Sequence, residues 1–205
     1  MDLSKRQSEI INAAIKLIGE GGIQALTIKN LSIEIGVVES ALYRHFKSKT
    51  DVLSALLDYI ESIMDSNFNG VKDLKIDPFE KIEKLIDSQL KFFADTPSYA
   101  VVILSDGLYK NDKILYDKLF DIMKVSRSTF ATIIEEGQKE GAIRNDVASD
   151  QIAFIILGSI RLNVNQWGLS GFSFDLQKKG KVIFHTLKTL IKNPSNNSQN
   201  LYNKK

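Results

Sequence analysis

The sequence predicts an all-α protein with about nine helices. Along most of the chain, apolar residues recur at intervals of three and four, the spacing that places them on one face of a helix. No segment shows the sustained alternation of apolar and polar residues, bounded by hairpin turns, that is typical of β-strands. The prolines, Pro78, Pro97 and Pro194, lie outside the predicted helix interiors, and glycines end several of the segments.

Four helices are predicted in the first third of the chain. Gly21-Gly22 ends the first, and Thr27 and Gly36 are suited to cap the start and the end of the second. Ser48 can cap the fourth, which carries a long apolar face. The expected helices, in order, are Ser4–Glu20, a two-turn helix from Thr27 through Ile35, a short helix Glu39–Phe46 and a longer helix after Ser48.

Five more helices are expected beyond Gly70. Asp77-Pro78 and Thr96-Pro97 each place a proline at the first helical position after a capping residue. Gly141 is suited to close a long helix. The first of these helices begins at Asp77, and the second begins at Thr96 and runs toward Gly107. The other three are expected from Asp112 to Glu140, from Ser149 or Asp150 to Trp167, and from Phe174 or Asp175 to Ile191.

Composition excludes several classes of protein. Of the 205 residues, 43% are hydrophobic and 25% are charged, as in soluble globular proteins. Neither an apolar stretch of about 18 residues nor a signal-peptide pattern is present, so we expect no membrane span and a cytoplasmic protein. With no cysteine, and only His45 and His185 to provide imidazole, we expect no metal site and no cofactor.

Three segments are predicted. Residues 1–50 form an N-terminal domain, residues 51–192 a larger helical domain, and residues 193–205 a polar tail with too few apolar side chains to fold. The net charge of +2 arises within residues 1–50. This excess is small, and it supports proximity to a polyanion without establishing it.

Two short helices joined by a Gly-Val turn indicate a helix-turn-helix unit. The segment from Leu26 to Lys49 reads LTIKNLSIEIGVVESALYRHFKSK. It resembles the DNA-binding domain of the TetR family of bacterial transcriptional repressors, in which a threonine precedes a small helix and Gly-Val precedes Leu-Tyr-x-His-Phe, a capping residue and lysine. The resemblance covers about residues 5–57 and implies a C-terminal helical domain that binds a ligand and dimerises through its last two helices.

A recognition helix needs one buried face and one face that reaches the edges of the bases. Leu42 and Phe46 lie four residues apart and are expected to form the buried face. Thr27, Tyr43 and Lys49 are expected to contact phosphates, as the matching tyrosine does in the family. The resemblance also implies that Lys29 lies near the edge of the groove, which residues at this position often reach in family members. The predicted DNA-binding residues are Thr27, Lys29, Glu39, Ser40, Ala41, Tyr43, Arg44, His45 and Lys49.

Some of these residues have a second interpretation. Tyr43 could pack against the first helix, His45 could pack and form hydrogen bonds in the three-helix core, and Lys49 could be a solvated lysine. Glu39 could accept a hydrogen bond from a cytosine amine, or it could only add favourable charge at a helix N-terminus. The family commonly has Ser or Thr in place of Val38 and Gly in place of Ser40. Val38 cannot cap, at a cost of about 1 kcal/mol.

Beyond residue 57 no motif of similar specificity occurs. Apolar strips on the last two helices predict a dimer interface, although the core of a single subunit would use the same strips. The predicted interface residues are Ile152, Ile156, Ser159, Ile160, Phe184, Leu187 and Ile191. An effector pocket needs an apolar lining with a few polar groups. Its candidates are Phe92, Phe93, Tyr99, Leu104, Met123, Phe130, Arg161, Asn165 and Trp167, although Arg161 could instead pair with a carboxylate.

The expected function is that of a ligand-responsive DNA-binding transcriptional regulator, a homodimeric repressor that a small molecule releases from its double-stranded operator. The alternative is a helical adaptor that binds protein partners without DNA. Catalysis is not expected, because the sequence has no Gly-rich phosphate loop, no HExxH and no paired Glu-x-x-His motif.

Overall fold

The all-α prediction is confirmed. A computed structural model describes residues 4–105, 109 and 112–194, and within these ranges the chain forms nine helices and one isolated bridge, between Ile143 and Lys192. No helix of the described ranges is long and apolar enough to cross a membrane. The helices are α1 (Lys5–Ala25), α2 (Ile28–Ile35), α3 (Glu39–Leu42), α4 (Lys49–Lys72), α5 (Pro78–Asp95), α6 (Pro97–Leu104), α7 (Lys113–Lys139), α8 (Ser149–Leu169) and α9 (Leu176–Ile191).

Side-chain caps fix several helix starts at the predicted residues. The Thr27 hydroxyl accepts a hydrogen bond at 3.0 Å from the backbone N–H three residues further on. The Ser48 hydroxyl and the Asp175 carboxylate do the same at 3.1 and 2.9 Å. Asp77 accepts from the second N–H after it at 2.8 Å, ahead of Pro78 in the first turn of α5. These bonds satisfy N–H groups that a helix start leaves without partners.

Two of the first three helices differ from expectation. α1 extends to Ala25, but it breaks where predicted, because Gly22 has a φ of 68° that favours glycine. α3 ends at Leu42 instead of Phe46. The N–H of His45 bonds the Leu42 carbonyl three residues back, at 2.9 Å, and this tighter spacing ends the regular helix.

The predicted end of the sixth helix and most of the predicted tail lie outside the described residues. α6 ends at Leu104, and Gly107, toward which it was expected to run, lies outside the described residues, as does most of the predicted tail. The first tail residue is anchored, because Asn193 donates its backbone N–H to the Ala142 carbonyl at 3.0 Å.

The described chain divides into two compact units. Unit 1 comprises the described parts of residues 1–65 and 95–122, and unit 2 comprises residues 66–94 and 123–194. Unit 1 therefore contains α1, α2, α3 and α6 with the first parts of α4 and α7. The division does not coincide with the predicted segments 1–50 and 51–192, and that domain boundary stays a prediction.

The core of unit 1 holds the short helices in place. Ile10, Ile18, Leu31 and Leu42 are all almost fully buried and come from α1, α2 and α3. α1 and α6 approach closely, since a Cβ atom added at Gly19 would lie 2.7 Å from the Ser98 hydroxyl oxygen. Residues 39–46, here called the recognition segment, thus rest on a packed support.

Unit 2 has its own core of aromatic and branched side chains. Its buried residues include Phe93 of α5, Phe130 of α7 and Trp167 of α8. α9 packs directly on α5, because a Cβ added at Gly180 would overlap Cδ1 of Leu90. A buried lysine, Lys81, donates to the carbonyl of Lys72 and to Glu136, both at 3.1 Å.

Candidate functional site

The recognition segment has the two faces that its sequence predicts. Leu42 and Phe46 are only 1% and 6% exposed, so they hold the segment against the core. Glu39, Ser40 and Arg44 are exposed on the other side. Ala41, which the sequence also places among the DNA-binding residues, is half-buried. One face is therefore fixed by packing while the other is free to meet a ligand.

The start of α3 carries no side-chain cap, as the sequence predicts for Val38. Val38 has extended backbone geometry and is itself 69% exposed. Glu39 occupies the first turn and provides the only acidic side chain there. A carboxylate at this position interacts favourably with the positive end of the helix dipole.

Thr27 and Lys29 lie at the start of α2, and both are exposed. The Thr27 oxygen accepts the bond that caps α2, and its O–H is a separate donor. The hydroxyl can therefore cap the helix and donate to a phosphate at the same time.

Lys49 is half-buried, and its Nζ donates to the carbonyl of Ile23 at 2.9 Å. That carbonyl follows the break at Gly22 in α1. Burial lowers the pKa of Lys49 below its ordinary value of 10.5. The interpretation as a simply solvated lysine is therefore wrong. An ammonium has three donors, so the bond to Ile23 leaves others for a phosphate.

Tyr43 and His45 do not pack in the core of unit 1. Tyr43 is 50% exposed and His45 is exposed. The core-packing alternative is therefore corrected for His45. The reason is geometric: the chain turns after Leu42, and Leu42 and Phe46 fill the inward positions.

Two polar contacts of this region were missed at the sequence level. Asn30 donates its side-chain N–H to the Ala25 carbonyl at 2.8 Å and so joins the end of α1 to α2. Asp51 accepts from the backbone N–H of Lys47 at 2.8 Å, which completes a reciprocal cap with Ser48. The Ser-x-x-Asp spacing could have revealed this cap. The contact of Asn30 depends on tertiary structure and has no sequence signal.

A groove of about 440 Å³ opens on unit 1 between the first half of α1 and the end of α2. Its charges are paired within the chain, Arg6 with Glu9 and Lys16 with Glu34, both at 2.6 Å. It therefore offers no unmatched charge to a ligand. The lining residues are Arg6, Glu9, Asn12, Ala13, Lys16, Glu34 and Ile35.

The predicted effector residues do not form one cluster. Phe92, Phe93, Phe130 and Trp167 are buried in unit 2, and the rings of Phe92 and Phe93 meet edge to face at 5.3 Å. Met123 and Asn165 are exposed and do not line an interior site, which corrects their assignment.

The other three candidates differ from this group. Tyr99 and Leu104 belong to unit 1, and burial, followed by the neighbouring Tyr59, raises the pKa of Tyr99 to about 12. Arg161 of unit 2 is half-buried and has an interaction partner.

The predicted dimer residues lie in the interior of the single chain, with the exception of the half-buried Ser159. Their burial within one subunit matches the alternative interpretation and corrects the assignment, since a buried side chain cannot meet a partner's surface. The buried residues are Ile152, Ile156, Ile160, Phe184, Leu187 and Ile191. The adjacent face of α8 is exposed and largely apolar, whereas α9 exposes Val182 and Leu190 among polar side chains.

A short helix that follows a Gly-Val turn, with a packed inner face and an outer face of polar side chains, defines a helix-turn-helix DNA-binding protein. Comparison with known proteins gives the family. Residues 10–56 match the model of bacterial regulatory proteins of the tetR family, and residues 53–190 match the C-terminal region of YsiA-like proteins. The chain belongs to the TetR family, and it is a DNA-binding regulator.

Individual relatives are distant. The chain is 25% identical over 172 residues to the nucleoid occlusion factor SlmA of Vibrio vulnificus, covering 83% of this chain and 88% of that protein. The fatty acid degradation regulator FadR of Bacillus halodurans has a similar structure, with a TM-score of 0.83, 21% identity and coverage of 92% and 97%. The structure of FadR of Bacillus subtilis in complex with stearoyl-CoA is also similar, with a TM-score of 0.77 and 24% identity. The match covers 88% of this chain and 96% of that one. These relatives are regulators or DNA-associated factors by name, not enzymes.

Proposed function

We propose that this protein is a dimeric repressor that binds a two-fold symmetric operator through the exposed face of α3 and its flanks, and that a small apolar molecule releases it. The observation that carries the proposal is the two-faced recognition segment. Leu42 and Phe46 anchor it while Ser40 and Arg44 project outward. Binding of chromosomal DNA would place its action in the cytoplasm.

The DNA contacts divide into two groups. Thr27, Tyr43 and Lys49 are suited to phosphates, because they combine a hydroxyl or ammonium donor with a position at the edge of the segment. Lys29, Ser40 and Arg44 are suited to base edges, since arginine and lysine pair with guanine in the major groove. Ala41 can contribute an apolar contact to a thymine methyl, and Glu39 can accept from cytosine.

Dimerisation is assigned to the exposed face of α8 and α9. Ile155, Leu162 and Leu169 lie seven residues apart, so they share one face of α8, and they are 52%, 59% and 84% exposed. Gly158 lies between the first two, and nothing within the chain fills the space beside it. Val182 of α9 is also exposed. A solvent-exposed apolar stripe with a small residue supports close packing against an identical helix of a second copy.

The effector is assigned to unit 2. Its interior is rich in aromatic side chains, which provide the apolar lining that a ligand site requires. The Bacillus subtilis neighbour was solved with stearoyl-CoA, a long apolar molecule with a polar head. We extend this class of ligand, an apolar body that carries polar groups, to the present chain.

Selection of duplexes from a random library by the purified protein tests the proposal. We expect a defined site whose sequence changes when Ser40 and Arg44 are both replaced by alanine, because a good bidentate base contact discriminates by about 1 to 3 kcal/mol. Lys139→Ala removes an exposed cation of α7 and should leave the selected site unchanged. An unchanged site in the double variant would refute the assignment, and failure to select DNA would favour the adaptor.

A further inference from the structure

Within the described ranges, two buried side-chain atoms have no hydrogen-bond partner. One is the acceptor Oε1 of Gln89 in α5, and the other is the donor Nδ2 of Asn163 in α8. Asn163 is only 4% exposed. A buried polar group without a partner costs about 1 to 3 kcal/mol, so folded proteins rarely retain one without a use for it.

Each amide shares its helix face with a buried aromatic residue, and Gln89 as a whole is half-buried. Asn163 lies one helical turn before Trp167 on the same face of α8, and Trp167 is buried. Gln89 shares its face of α5 with Phe93, four residues on, which is buried as well. Both amides belong to unit 2. In such surroundings a leucine or methionine would satisfy packing alone, and an amide would add only the cost of its desolvation.

The two helices are linked through α9. α9 packs against α5 where Gly180 approaches Leu90, and α9 also packs against α8. A six-residue connection joins α8 to α9 as a helical hairpin, and in an antiparallel hairpin Asn163 lies within about one turn of the level of Gly180. Asn163 and Gly180 therefore lie at a similar level, and Gln89 directly precedes Leu90, which contacts Gly180.

We infer that Gln89 and Asn163 bind the polar group of the effector, and that this group is uncharged: an amide, thioester, ketone or hydroxyl on an apolar body. The inference rests on the proposed function. Each amide carries a donor and an acceptor, so together they match a group that accepts one hydrogen bond and donates another, or two groups in sequence. A carboxylate matches poorly, because neutral amides do not offset the cost of burying its charge.

The protein contains its own reporter for this site. Trp167 is its one tryptophan, and it lies one turn from Asn163. The probe is decanamide, with decanoate as the charged molecule of equal chain length, and binding is followed by the fluorescence of Trp167. The variants are Asn163→Leu and Gln89→Leu. Asn69→Leu makes the same chemical change at an exposed site of α4 in unit 2.

We expect decanamide to change the fluorescence at lower concentration than decanoate. Each core variant should weaken decanamide binding about tenfold, which corresponds to about 1.4 kcal/mol, and should raise the melting temperature because an unpartnered buried group has been removed. The Asn69 variant should bind as the wild type does. A variant that no longer folds is identified by circular dichroism, and the smaller changes Asn163→Ser and Gln89→Met then replace it.

Equal binding of decanamide by wild type and core variants would overturn the inference, as would a wild type that binds no decanamide or prefers decanoate. A core variant that loses stability while the wild type binds no probe would identify the two amides as the site of a structural water. Operator binding is measured on the same samples. If the wild type does not bind DNA, the proposed function is refuted, whatever the fluorescence shows.

Discussion

Lys49 occupies the point where the fold of the DNA-binding segment and its proposed contact with DNA meet. Its ammonium donates to the Ile23 carbonyl at 2.9 Å and so ties the start of α4 to the end of α1. Lys49→Met keeps the aliphatic stem and removes the ammonium. The variant should therefore lose both the internal bond and the phosphate contact.

The two losses have different magnitudes and different signatures. A hydrogen bond from a charged group contributes about 1.5 to 3 kcal/mol when buried. Because Lys49 is half-buried and burial opposes its charge, we expect about 1 kcal/mol, or about 2 to 4 °C in melting temperature for a chain of this size. Each phosphate contact contributes about 0.9 to the slope of log affinity against log salt, so a dimer should lose about 1.8.

Thermal unfolding by circular dichroism measures the first loss, and fluorescence anisotropy over a range of salt concentrations measures the second. Lys47→Met is the control for stability. Lys47 is an exposed neighbour, so this variant should have the melting temperature of the wild type. A lower melting temperature with an unchanged salt slope would show that Lys49 supports the fold without touching phosphate. No change in either quantity would refute the reasoning.

Three further predictions concern stability and assembly. Burial, followed by two neighbouring carboxylates of α4, raises the pKa of Glu61, so its ionised form is disfavoured in the folded state. Glu61→Gln should therefore raise the melting temperature modestly at pH 7. This gain should vanish below about pH 4.5, where Glu61 is protonated in both the folded and the unfolded state. Gly180→Ala should lower the free energy of unfolding in urea by about 1 kcal/mol, since overpacking against Leu90 outweighs the gain in helix propensity; a more stable variant would contradict the close approach. Leu162→Asp should yield folded monomers in sedimentation, whereas Ile156→Asp should unfold the chain because it buries a charge. A folded, monomeric Ile156→Asp variant would show instead that the face of α8 containing Ile156 forms the dimer interface.

Local sequence signals predicted the helices and the recognition segment well. Thr27, Ser48 and Asp175 cap helices as expected, because capping is decided by a side chain and a backbone N–H two or three residues away. The left-handed Gly36 and the buried Leu42 also follow from local spacing. The shortening of α3 was not visible, because helical and turn geometry use the same residues over one turn.

Tertiary relations could not be predicted in the same way. Both faces of α8 are apolar, so periodicity alone could not decide whether Ile156 or Leu162 faces the core, and the interface was predicted on the face that the structure buries. The bond from Lys49 to Ile23 and the unpartnered amide of Asn163 depend on neighbours distant in sequence. These are the features that shape the proposed mechanism.

Footprinting of the protein on a duplex selected from a random library tests the central claim most directly. Two recognition helices of a symmetric dimer should protect two half-sites related by a two-fold axis, with centres about one turn of DNA apart. Replacement of Ser40 and Arg44 by alanine should abolish protection of that duplex. A uniform or absent footprint, or one that persists unchanged in the double variant, would contradict the claim that the exposed face of α3 reads the operator.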